Sequence, residues 1–406
     1  MWKWTDPDAI KALIIDIDSV KSEYQSIDFK TLMPQAELFL VKDVLSDIKM
    51  DAIKYYDVSN LVLEVLVRAK CESYSVIAIS KDPLFLKEMM QNHIGTIFVG
   101  DFKKNLLKYS PDFIIPSISS LAKILTGERI GYAAEAKAIY GTCNKNTLSL
   151  LKCESEVILN NEIKKVVTLY FGGRYYSYDN QYLQNDPLSY IVMNFKNKYI
   201  PIVDAFFDLA ISFINKKEHI DILTYVPMKP MDILTNRFNR FTSLELREVK
   251  QGGVQLQNII NCNKDFSQKG NDLHMRREIV KGAFYVSENV VGKDVMIIDD
   301  VVASGSTVLE IAKTLYEQGA NKVIVIALAA NQLTESSLVY KSLTCDYCDS
   351  PVVLRLNKKK NTLFFGCRNY RSHSENYSLD VPSGLNLLKR KNKLEIKNIV
   401  DLDDEY

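Results

Sequence analysis

Short runs of apolar residues, each ending in polar residues, recur along the first third of the chain. Four such runs are found at residues 12–15, 75–80, 96–99 and 112–115. Between the second and third, Leu84, Phe85, Leu86 and Met89 form an amphipathic stretch. Continuous apolar runs are typical of strands buried on both faces, and their alternation with helical stretches indicates a doubly wound parallel sheet. We therefore predict an α/β domain over residues 1–150.

The same pattern returns in the middle of the chain. Apolar runs lie at residues 168–171, 220–225, 295–298 and 323–329. After the third run, Val308, Leu309, Ala312 and Leu315 recur at helical spacing, and Gly319 is suited to end that helix. These runs predict a second doubly wound parallel-sheet domain over residues 155–335, so the fold class is α/β.

Two carboxylates and a turn of small residues follow the run at 295–298. The acids are Asp299 and Asp300, and the turn is Ala303, Ser304, Gly305, Ser306 and Thr307. The N–H groups of such a turn and of the following helix can hold a phosphate, while the acids can hold ribose hydroxyls or Mg²⁺. The segment therefore predicts a sugar-phosphate site. An ordinary strand–turn–helix with solvated acids is the alternative, and the common nucleotide-binding glycine motifs are absent from the sequence.

This segment resembles the phosphoribosyl-pyrophosphate (PRPP) motif of type I phosphoribosyltransferases. That motif consists of an apolar strand, two acidic residues, two apolar residues and a small-residue loop ending in threonine, and the chain matches each class. The resemblance implies that residues 303–307 bind the 5′-phosphate of PRPP. It also implies that Asp299 and Asp300 act as catalytic residues on the ribose hydroxyls, with Mg²⁺ beside the pyrophosphate.

Further features over roughly residues 168–330 narrow the resemblance to the ComF-like phosphoribosyltransferases, a family associated with DNA-uptake competence. They are Val226-Pro227 at a strand end, Phe238-Asn239, Gln268 eight residues before Arg276, and Lys281-Gly282-Ala283-Phe284. The resemblance implies that Val226, Pro227, Lys229 and Arg276 contact the pyrophosphate. The chain departs from the family at residues 236–240 and at Ile279, in the hood that covers the reacting sugar, so the acceptor stays open.

The first predicted strand ends in Asp16-Ile17-Asp18, where open α/β sheets bind their ligands. This segment resembles the first motif of the haloacid-dehalogenase-like (HAD) phosphohydrolases. The resemblance implies that Asp16 is a nucleophile, Asp18 an acid/base, Ser80 a phosphoryl-binding residue, and that Mg²⁺ binds nearby. Lys81 and Asp82 are the nearest matches to the family's later motifs. An active phosphatase, a degenerate domain and an unrelated α/β domain all remain open.

Three cysteines and a histidine near the C-terminus have the spacing of a zinc ribbon. Cys345 and Cys348 are separated by two residues, Cys367 follows after eighteen more, and His373 after another five. The pattern predicts a closed, structural Zn²⁺ site within residues 340–380, with unrelated cysteines in a hairpin as the alternative. The ribbon resembles the C-terminal ribbons of bacterial type I topoisomerases, which carry cysteine where His373 stands.

Basic and aromatic residues crowd this predicted ribbon. They are Arg355, Lys358, Lys359, Lys360, Phe364, Phe365, Arg368, Tyr370 and Arg371. Such a mixture suits single-stranded nucleic acid, and a solvated basic face is the alternative. Residues 385–406 read as a charged tail, basic at first and then acidic, which we expect to be exposed or partly disordered.

Composition adds few constraints. The 406 residues carry a formal net charge of +1, which favours no class of macromolecular partner. The sequence has neither a signal-peptide core nor an apolar run long enough to span a bilayer, and its scattered cysteines favour a reducing cytosol. Together with the resemblance over residues 168–330, these features lead us to expect a cytoplasmic phosphoribosyltransferase. The alternatives are a catalytically silent, nucleic-acid-associated protein of this fold and a Mg²⁺-dependent phosphatase in the N-terminal half.

Overall fold

The computed structural model describes most of the chain in two compact units. The first unit spans residues 1–101, 111–129 and 335–406, and the second spans residues 102–110 and 130–334. The described residues are 7–101, 109–126, 132–141, 149–160, 162–176, 186–195, 200–234, 254, 256–267, 273–332, 343–350 and 352–392. Among them, no helix combines the length and apolar character needed to cross a membrane.

The N-terminal part of the first unit alternates strands with helices. Its elements are β1 (Ala12–Asp16), α1 (Ile17–Val20), α2 (Phe29–Leu32), β2 (Glu37–Asp43), β3 (Ile53–Tyr55), α3 (Val58–Arg68), β4 (Val76–Ser80), α4 (Pro83–Gln91), β5 (Gly95–Val99), β6 (Phe113–Ile115) and α5 (Ala122–Leu125). Carboxylates start two of the helices. Asp57 accepts the Asn60 N–H before α3, and Asp82 accepts the Leu84 N–H before α4, where Pro83 fits the first helical position.

All six of these strands pair in parallel, in the order β3-β2-β1-β4-β5-β6. The four predicted apolar runs are confirmed as β1, β4, β5 and β6. Every residue of β1 and β4 is buried, as expected for central strands. The order reverses direction between β1 and β4, so the carboxyl ends of these two strands flank the crevice in which open α/β sheets bind ligands.

The second unit is built around another six-stranded sheet. Its elements are α6 (Ala133–Tyr140), β7 (Leu151–Ile158), β8 (Lys164–Phe171), β9 (Arg174–Tyr176), α7 (Pro187–Phe195), α8 (Pro201–Glu218), β10 (Ile222–Tyr225), α9 (Pro230–Leu234), β11 (Ile260–Cys262), α10 (Leu273–Val280), β12 (Phe284–Val286), β13 (Asp294–Val302), α11 (Ser306–Glu317) and β14 (Lys322–Gln332).

The sheet order is β10-β13-β14-β8-β7, and β9 also pairs with β14. The expectation of a purely parallel sheet is wrong at one edge, because β7 runs antiparallel to β8. Only a short turn separates these two strands, and a connection that short can join only antiparallel neighbours. A small antiparallel pair, β11 with β12, lies outside the main sheet.

The core of this unit lies between α6–α8 and one face of the sheet. Val203, Phe206, Phe207, Ala210, Ile211 and Ile214 form the buried stripe of α8. They pack with Met296 and Ile298 of β13 and with Ile324 and Ile326 of β14. Because this packing immobilises β13 and β14, the polar residues at their carboxyl ends are held on a rigid scaffold.

The C-terminal part of the first unit contains a small three-stranded antiparallel sheet and a helix. They are β15 (Val352–Asn357), β16 (Thr362–Cys367), β17 (Ser378–Asp380) and α12 (Val381–Asn392). The predicted hairpin is confirmed as β15 and β16. Leu385 and Leu388 of α12 are buried, so the segment predicted as a charged tail begins within a helix. Residues 393–406 lie outside the described residues.

Candidate functional site

The acidic pair lies at the carboxyl end of β13, directly before the turn into α11. Asp299 and Asp300 are 8% and 4% exposed, and the backbone N–H of Asp300 donates to Oδ1 of Asp299 at 2.8 Å. Gly305 has a φ of 78°, a left-handed conformation that favours glycine. The hydroxyls of Ser304 and Ser306 lie 2.9 Å apart. Helix α11 starts at Ser306, so its first turn brings N–H groups to this point.

The turn residues are accessible enough to meet a ligand. Ala303, Ser304 and Thr307 are half-buried, whereas Gly305 and Ser306 are buried. The strand, turn and helix start predicted from the sequence are therefore formed as expected. Their arrangement offers carboxylate acceptors on one side of the turn and hydroxyl and N–H donors on the other, which together suit a sugar carrying a phosphate.

The segment predicted to bind pyrophosphate starts beside the acidic pair. Tyr225 pairs with Ile298 in the parallel register, and the Val226 N–H donates to the Ile298 carbonyl at 3.0 Å. Residues 226–229, which include Pro227, are half-buried. The Lys229 ammonium donates to the carbonyl of Phe266 at 2.6 Å and lies 4.6 Å from the centre of that ring. The ammonium of Lys229 is therefore engaged by this carbonyl and ring.

The remaining residues of the predicted hood are only partly described. Arg276 is half-buried on α10, and Ile279 on the same helix is also half-buried. The turn after α10 contacts α11, because the Gly282 N–H donates to the Glu310 carboxylate at 2.7 Å. Residues 236–240 and Gln268 lie outside the described residues.

Three polar residues that the sequence analysis did not select lie at the same edge of the sheet. Tyr175 of β9 pairs with Asn331 of β14, and Gln332 follows at the strand end. Burial and the nearby Asp300 carboxylate raise the pKa of the Tyr175 hydroxyl. One signal in the sequence could have identified Asn331 and Gln332 of β14 as candidate site residues. The apolar run of that strand ends in Asn331-Gln332, and polar side chains at the carboxyl end of a parallel strand lie where ligands bind.

A buried ion pair holds β9 in position. Arg174 is 0% and Glu135 of α6 is 2% exposed. One carboxylate oxygen of Glu135 accepts the Arg174 side-chain Nε–H at 2.8 Å and the Arg174 backbone N–H at 3.1 Å. The other accepts the Tyr132 N–H at 3.0 Å. Since Tyr175 follows Arg174, this pair also fixes Tyr175 at the edge of the sheet.

In the first unit, the structure brings together Asp16 and Ser80, two residues that the HAD resemblance selected. The Ser80 hydroxyl donates to Oδ2 of Asp16 at 2.6 Å, and the Ser19 hydroxyl lies 2.9 Å from that of Ser80. Burial raises the pKa of Asp16, and the hydrogen bond from Ser80 partly opposes this shift. Lys81 and Asp82 are engaged elsewhere, because Lys81 pairs with Glu23 at 2.5 Å and Asp82 caps α4.

Asp18 faces a different set of donors. Its carboxylate accepts the Asp43 N–H at 2.7 Å and the hydroxyl of Ser46. Burial is the largest cause of the raised pKa of Tyr55. The nearby carboxylates of Asp16, Asp43 and Asp18 raise it further. The crevice at the ends of β1 and β2 is therefore acidic. Ser46, Asp43 and Tyr55 could not be chosen from the sequence, because their approach depends on how β2 pairs with β1 and β3 with β2.

The predicted zinc ligands converge. The ligand atoms of Cys345, Cys348, Cys367 and His373 all lie within 4.8 Å of one another, and within the described chain this is the one group of three or more such residues placed to hold a metal ion. Cys348 Sγ lies 3.5 Å from Cys367 Sγ, and His373 Nε2 lies 3.3 Å from Cys367 Sγ and 3.6 Å from Cys345 Sγ. These spacings fit tetrahedral closure around an ion about 2.0–2.3 Å from each ligand atom.

Neighbouring groups support the ligands of this cluster. The second ring nitrogen of His373 lies 2.5 Å from the carbonyl of Glu375, which orients the imidazole in the way that metal-bound histidines require. The Asn369 N–H donates to Cys367 Sγ at 3.2 Å. Hydrogen bonds from Ser350 lower the pKa of the Cys348 thiol to about 6. Three soft sulfur ligands and one imidazole suit Zn²⁺, so a metal such as zinc can be held here.

A cationic and aromatic surface lies beside this cluster. The guanidinium groups of Arg355 and Arg371 lie 4.8 Å and 5.6 Å from the centre of the Tyr370 ring, which is 42% exposed. The Arg355 guanidinium also donates to the Cys367 carbonyl at 3.2 Å. The turn residues 358–360 are exposed. Arg355 and Arg371 therefore share one exposed aromatic ring, and the three lysines of the hairpin turn are exposed to solvent.

Comparison with known proteins identifies part of the second unit. The profile of the phosphoribosyl transferase domain family matches residues 249–353. Among curated proteins, the transcriptional regulator GfcR of Methanococcus vannielii is 33% identical over 92 residues, which cover 21% of this chain and 45% of GfcR. The chain thus matches less than half the length of this relative.

Solved structures give weaker overlaps. A hypoxanthine phosphoribosyltransferase from Staphylococcus aureus is 10% identical, with 36% of this chain and 82% of that chain covered and a TM-score of 0.21. A purine phosphoribosyltransferase from Pyrococcus horikoshii is 12% identical, with 33% and 84% covered and a TM-score of 0.20. The family profile includes the acidic pair and its turn. Residues 249–353 are thus similar to the phosphoribosyl transferase domain family.

Proposed function

We propose that this protein is a phosphoribosyltransferase that uses PRPP and Mg²⁺ and releases pyrophosphate. The observation that carries the proposal is the carboxyl end of β13. Asp299 and Asp300 lie there, directly before the turn at Gly305 and the start of α11. The match of residues 249–353 to the phosphoribosyl transferase domain family supports the same assignment.

In this proposal, the turn at residues 303–307 binds the 5′-phosphate through backbone N–H groups and the hydroxyls of Ser304 and Ser306. Asp299 and Asp300 accept hydrogen bonds from the ribose hydroxyls. The acceptor forms its new bond to C1′ of the ribose, and the electrons of the C1′–O bond leave with pyrophosphate. Lys229 and Arg276 stabilise the negative charge that builds on this leaving group.

Magnesium, when bound with PRPP, neutralises charge on the pyrophosphate. The acidic pair is suited to hold it through water, because Mg²⁺ usually keeps several waters and takes only one or two carboxylates from the protein. Asp299 and Asp300 are 8% and 4% exposed, so their charges act on a bound ligand more strongly than the charges of fully solvated carboxylates would.

Calorimetric titration of the full chain with PRPP and Mg²⁺ tests the proposal. The Asp299→Asn/Asp300→Asn double variant removes both carboxylates with little change in volume. Hydrogen bonds to charged groups contribute about 1.5–3 kcal/mol each, so we expect PRPP affinity to fall by about 10²- to 10⁴-fold. Wild-type affinity in the double variant rejects the assignment.

Asp294→Asn is the matched control for this titration. Asp294 starts the same strand but lies at its opposite end, where it accepts from the Asn321 side chain at 2.7 Å. Its replacement should leave PRPP affinity unchanged. Pyrophosphate release from PRPP across a panel of nucleobases and amines then distinguishes a transferase from a protein that only binds PRPP.

A second candidate function is a Mg²⁺-dependent phosphatase in the first unit, favoured by the 2.6 Å hydrogen bond between Ser80 and Asp16. In this mechanism Asp16 attacks phosphorus, Asp18 exchanges protons with the leaving group and water, and Ser80 steadies the phosphoryl group. Hydrolysis of a generic phosphate ester that is lost in Asp16→Asn and retained in Asp8→Asn would support this function. Equal hydrolysis by both variants would reject it.

A third candidate is a silent member of this fold that binds single-stranded nucleic acid at the zinc ribbon. The exposed Tyr370 ring between Arg355 and Arg371 favours it, because aromatic rings and guanidinium groups both stack on bases. Binding to a labelled single-stranded oligonucleotide should weaken steeply with salt and disappear in Cys345→Ser/Cys348→Ser. Binding that is equal in this variant excludes the ribbon as the contact.

A further inference from the structure

The outermost strand of the second sheet leaves one edge open. Among the described strands, β7 pairs with β8 alone. The Leu159 N–H donates to the Ile163 carbonyl at 3.0 Å, which shows which residues of β7 point their backbone groups towards β8. Because successive residues of a strand direct these groups to opposite sides, the N–H and C=O groups of Lys152, Glu154 and Glu156 point away from β8.

This outward edge of β7 can pair with a further strand. Within the described part of the chain, no other strand pairs with it. Unpaired N–H and C=O groups along a strand edge are a template for an added strand, which is held by main-chain hydrogen bonds. Charged side chains often protect such edges. Whether they repel or attract a given strand depends on the signs and the spacing of the charges.

Charged side chains of both signs lie on one face of β7. Lys152, Glu154 and Glu156 share this face, because side chains alternate between the two faces of a strand. The side chains of Lys152 and Glu154 are 44% and 41% exposed, and the Lys152 ammonium lies 3.7 Å from the Glu154 carboxylate. Glu156 is 60% exposed and lies 3.5 Å from the ammonium of Lys164. Such exposed pairs contribute little to stability, so these charges are available to a partner.

We propose that β7 is an interface with a second copy of this chain, in which the two β7 strands pair antiparallel about a two-fold axis at Cys153. A two-fold contact is self-complementary, because the same residues serve both copies. In this register, Lys152 of each copy lies opposite Glu154 of the other copy, and the two residues exchange backbone hydrogen bonds. Each dimer therefore has two cross-strand pairs of opposite charge, and such pairs stabilise a sheet.

The charge pattern of β7 selects this register over its neighbours. Pairing through the outward groups requires the axis to pass at a residue of β7 rather than between two residues. An axis at Lys152 or at Glu154 sets that residue opposite its own like-charged copy, and an axis at Ser155 sets Glu154 opposite Glu156 twice. Like charges directly opposite each other are destabilising. Of these four axis positions, the one at Cys153 alone sets opposite charges across from each other without such a clash.

The contact is small, so the dimer should be weak and reversible. It runs from Leu150 to Glu156 in each copy along a single strand edge, whereas standard protein interfaces bury about 1,600 Å². We therefore expect a dissociation constant roughly in the micromolar range. Because the opposed side chains are partly exposed, salt should weaken the dimer by screening their charges.

Sedimentation equilibrium of the full chain over a range of concentrations tests the interface. The wild type should dimerise reversibly. Lys152→Glu turns both attractive pairs into repulsive ones, so we expect the dissociation constant to rise by about 10- to 100-fold. Lys152→Glu/Glu154→Lys exchanges the two charges and should restore dimerisation, because each glutamate again faces a lysine. Restoration by the double variant also separates an effect of charge at the interface from a folding defect in Lys152→Glu.

Lys293→Glu is the matched control, because Lys293 is an exposed lysine directly before β13 and its replacement makes the same change in charge outside β7. It should dimerise as the wild type does. Three outcomes overturn the inference. The first is a wild type that is monomeric at every concentration up to about 1 mM. The second is a Lys152→Glu variant that dimerises as tightly as the wild type, and the third is a double variant that dimerises no better than Lys152→Glu.

Discussion

Replacing Glu135 by glutamine should destabilise the second compact unit, because it removes a counter-charge from a guanidinium that is fully buried. Arg174 is 0% and Glu135 is 2% exposed. The two oxygens of Glu135 accept three hydrogen bonds, two from Arg174 and one from the Tyr132 N–H. Glutamine has a single carbonyl oxygen. Its NH₂ group must therefore face either the Arg174 donors or the Tyr132 N–H, and a donor facing a donor forms no hydrogen bond.

The expected magnitude follows from this arrangement. Removing one partner of a buried ion pair typically costs about 3–5 kcal/mol. Asp186 is also buried and interacts electrostatically with Arg174. Part of the charge compensation of the buried guanidinium therefore remains when Glu135 is replaced. We therefore expect the lower end of the range, about 3 kcal/mol. For a unit of this size each kcal/mol shifts the melting temperature by about 2–4 °C, which gives a decrease of about 6–12 °C.

Burial raises the pKa of Glu135 to about 8, so scanning calorimetry at pH 9, where this carboxyl is ionised, measures the shift. Glu156→Gln is the control, because Glu156 pairs with Lys164 in the same unit but both side chains are at least 60% exposed. Exposed pairs contribute about 0–1 kcal/mol, so the control should melt almost as the wild type does. If Glu135→Gln melts within the range of Glu156→Gln, the buried pair does not hold β9 against α6 and this reasoning is refuted.

Three further predictions concern the first unit. Zinc chelation should abolish the hydrogen-exchange protection of β15–β17, since binding of structural zinc contributes about 10–16 kcal/mol to the folding of such sites. Full protection after complete metal removal would contradict this prediction. Ser80→Ala should raise the pKa of Asp16 further in an NMR titration. Because the pKa of Asp16 is raised in the folded protein, protonation of this carboxyl favours the folded state. Its contribution to the free energy of unfolding is therefore largest at low pH and is lost as pH rises through the native pKa of Asp16. Gly384→Ala should lower the melting temperature, because the added Cβ would lie 2.2 Å from Cδ2 of Phe365. Overpacking of this kind costs about 1–3 kcal/mol. An unchanged or higher melting temperature would contradict this close contact.

Local sequence patterns were sufficient to predict an element or a candidate site wherever its residues are contiguous or closely spaced in the chain. The central strands β1, β4, β13 and β14 are continuous apolar runs, and buried parallel strands admit few other patterns. The acidic pair and its turn are contiguous, so the strand, turn and helix start around Asp299 could be predicted together. The four ligands of the metal cluster could also be predicted, because two short turns of fixed spacing on one hairpin bring them together.

Elements that depend on neighbours could not be predicted. Strand β2 reads Glu-Leu-Phe-Leu-Val-Lys-Asp, with charges at both ends, and β3 has three residues. Strand β2 forms by pairing with the edge of β1, and β3 forms by pairing with β2. Helix α12 was interpreted as a charged tail, and it is a helix because Leu385 and Leu388 are buried and Gly384 lets it approach Phe365.

The sequence alone determined the local patterns at each candidate site, because a strand followed by two carboxylates and a small-residue turn, and cysteine pairs of fixed spacing, are contiguous or nearly so. Only the tertiary structure decided which distant residues join them. Tyr175 comes near Asp300 because β9 and β13 both pair with β14, and Ser80 reaches Asp16 because β4 pairs with β1. Register and strand order depend on the packing of the whole sheet, and no short stretch of sequence contains that information.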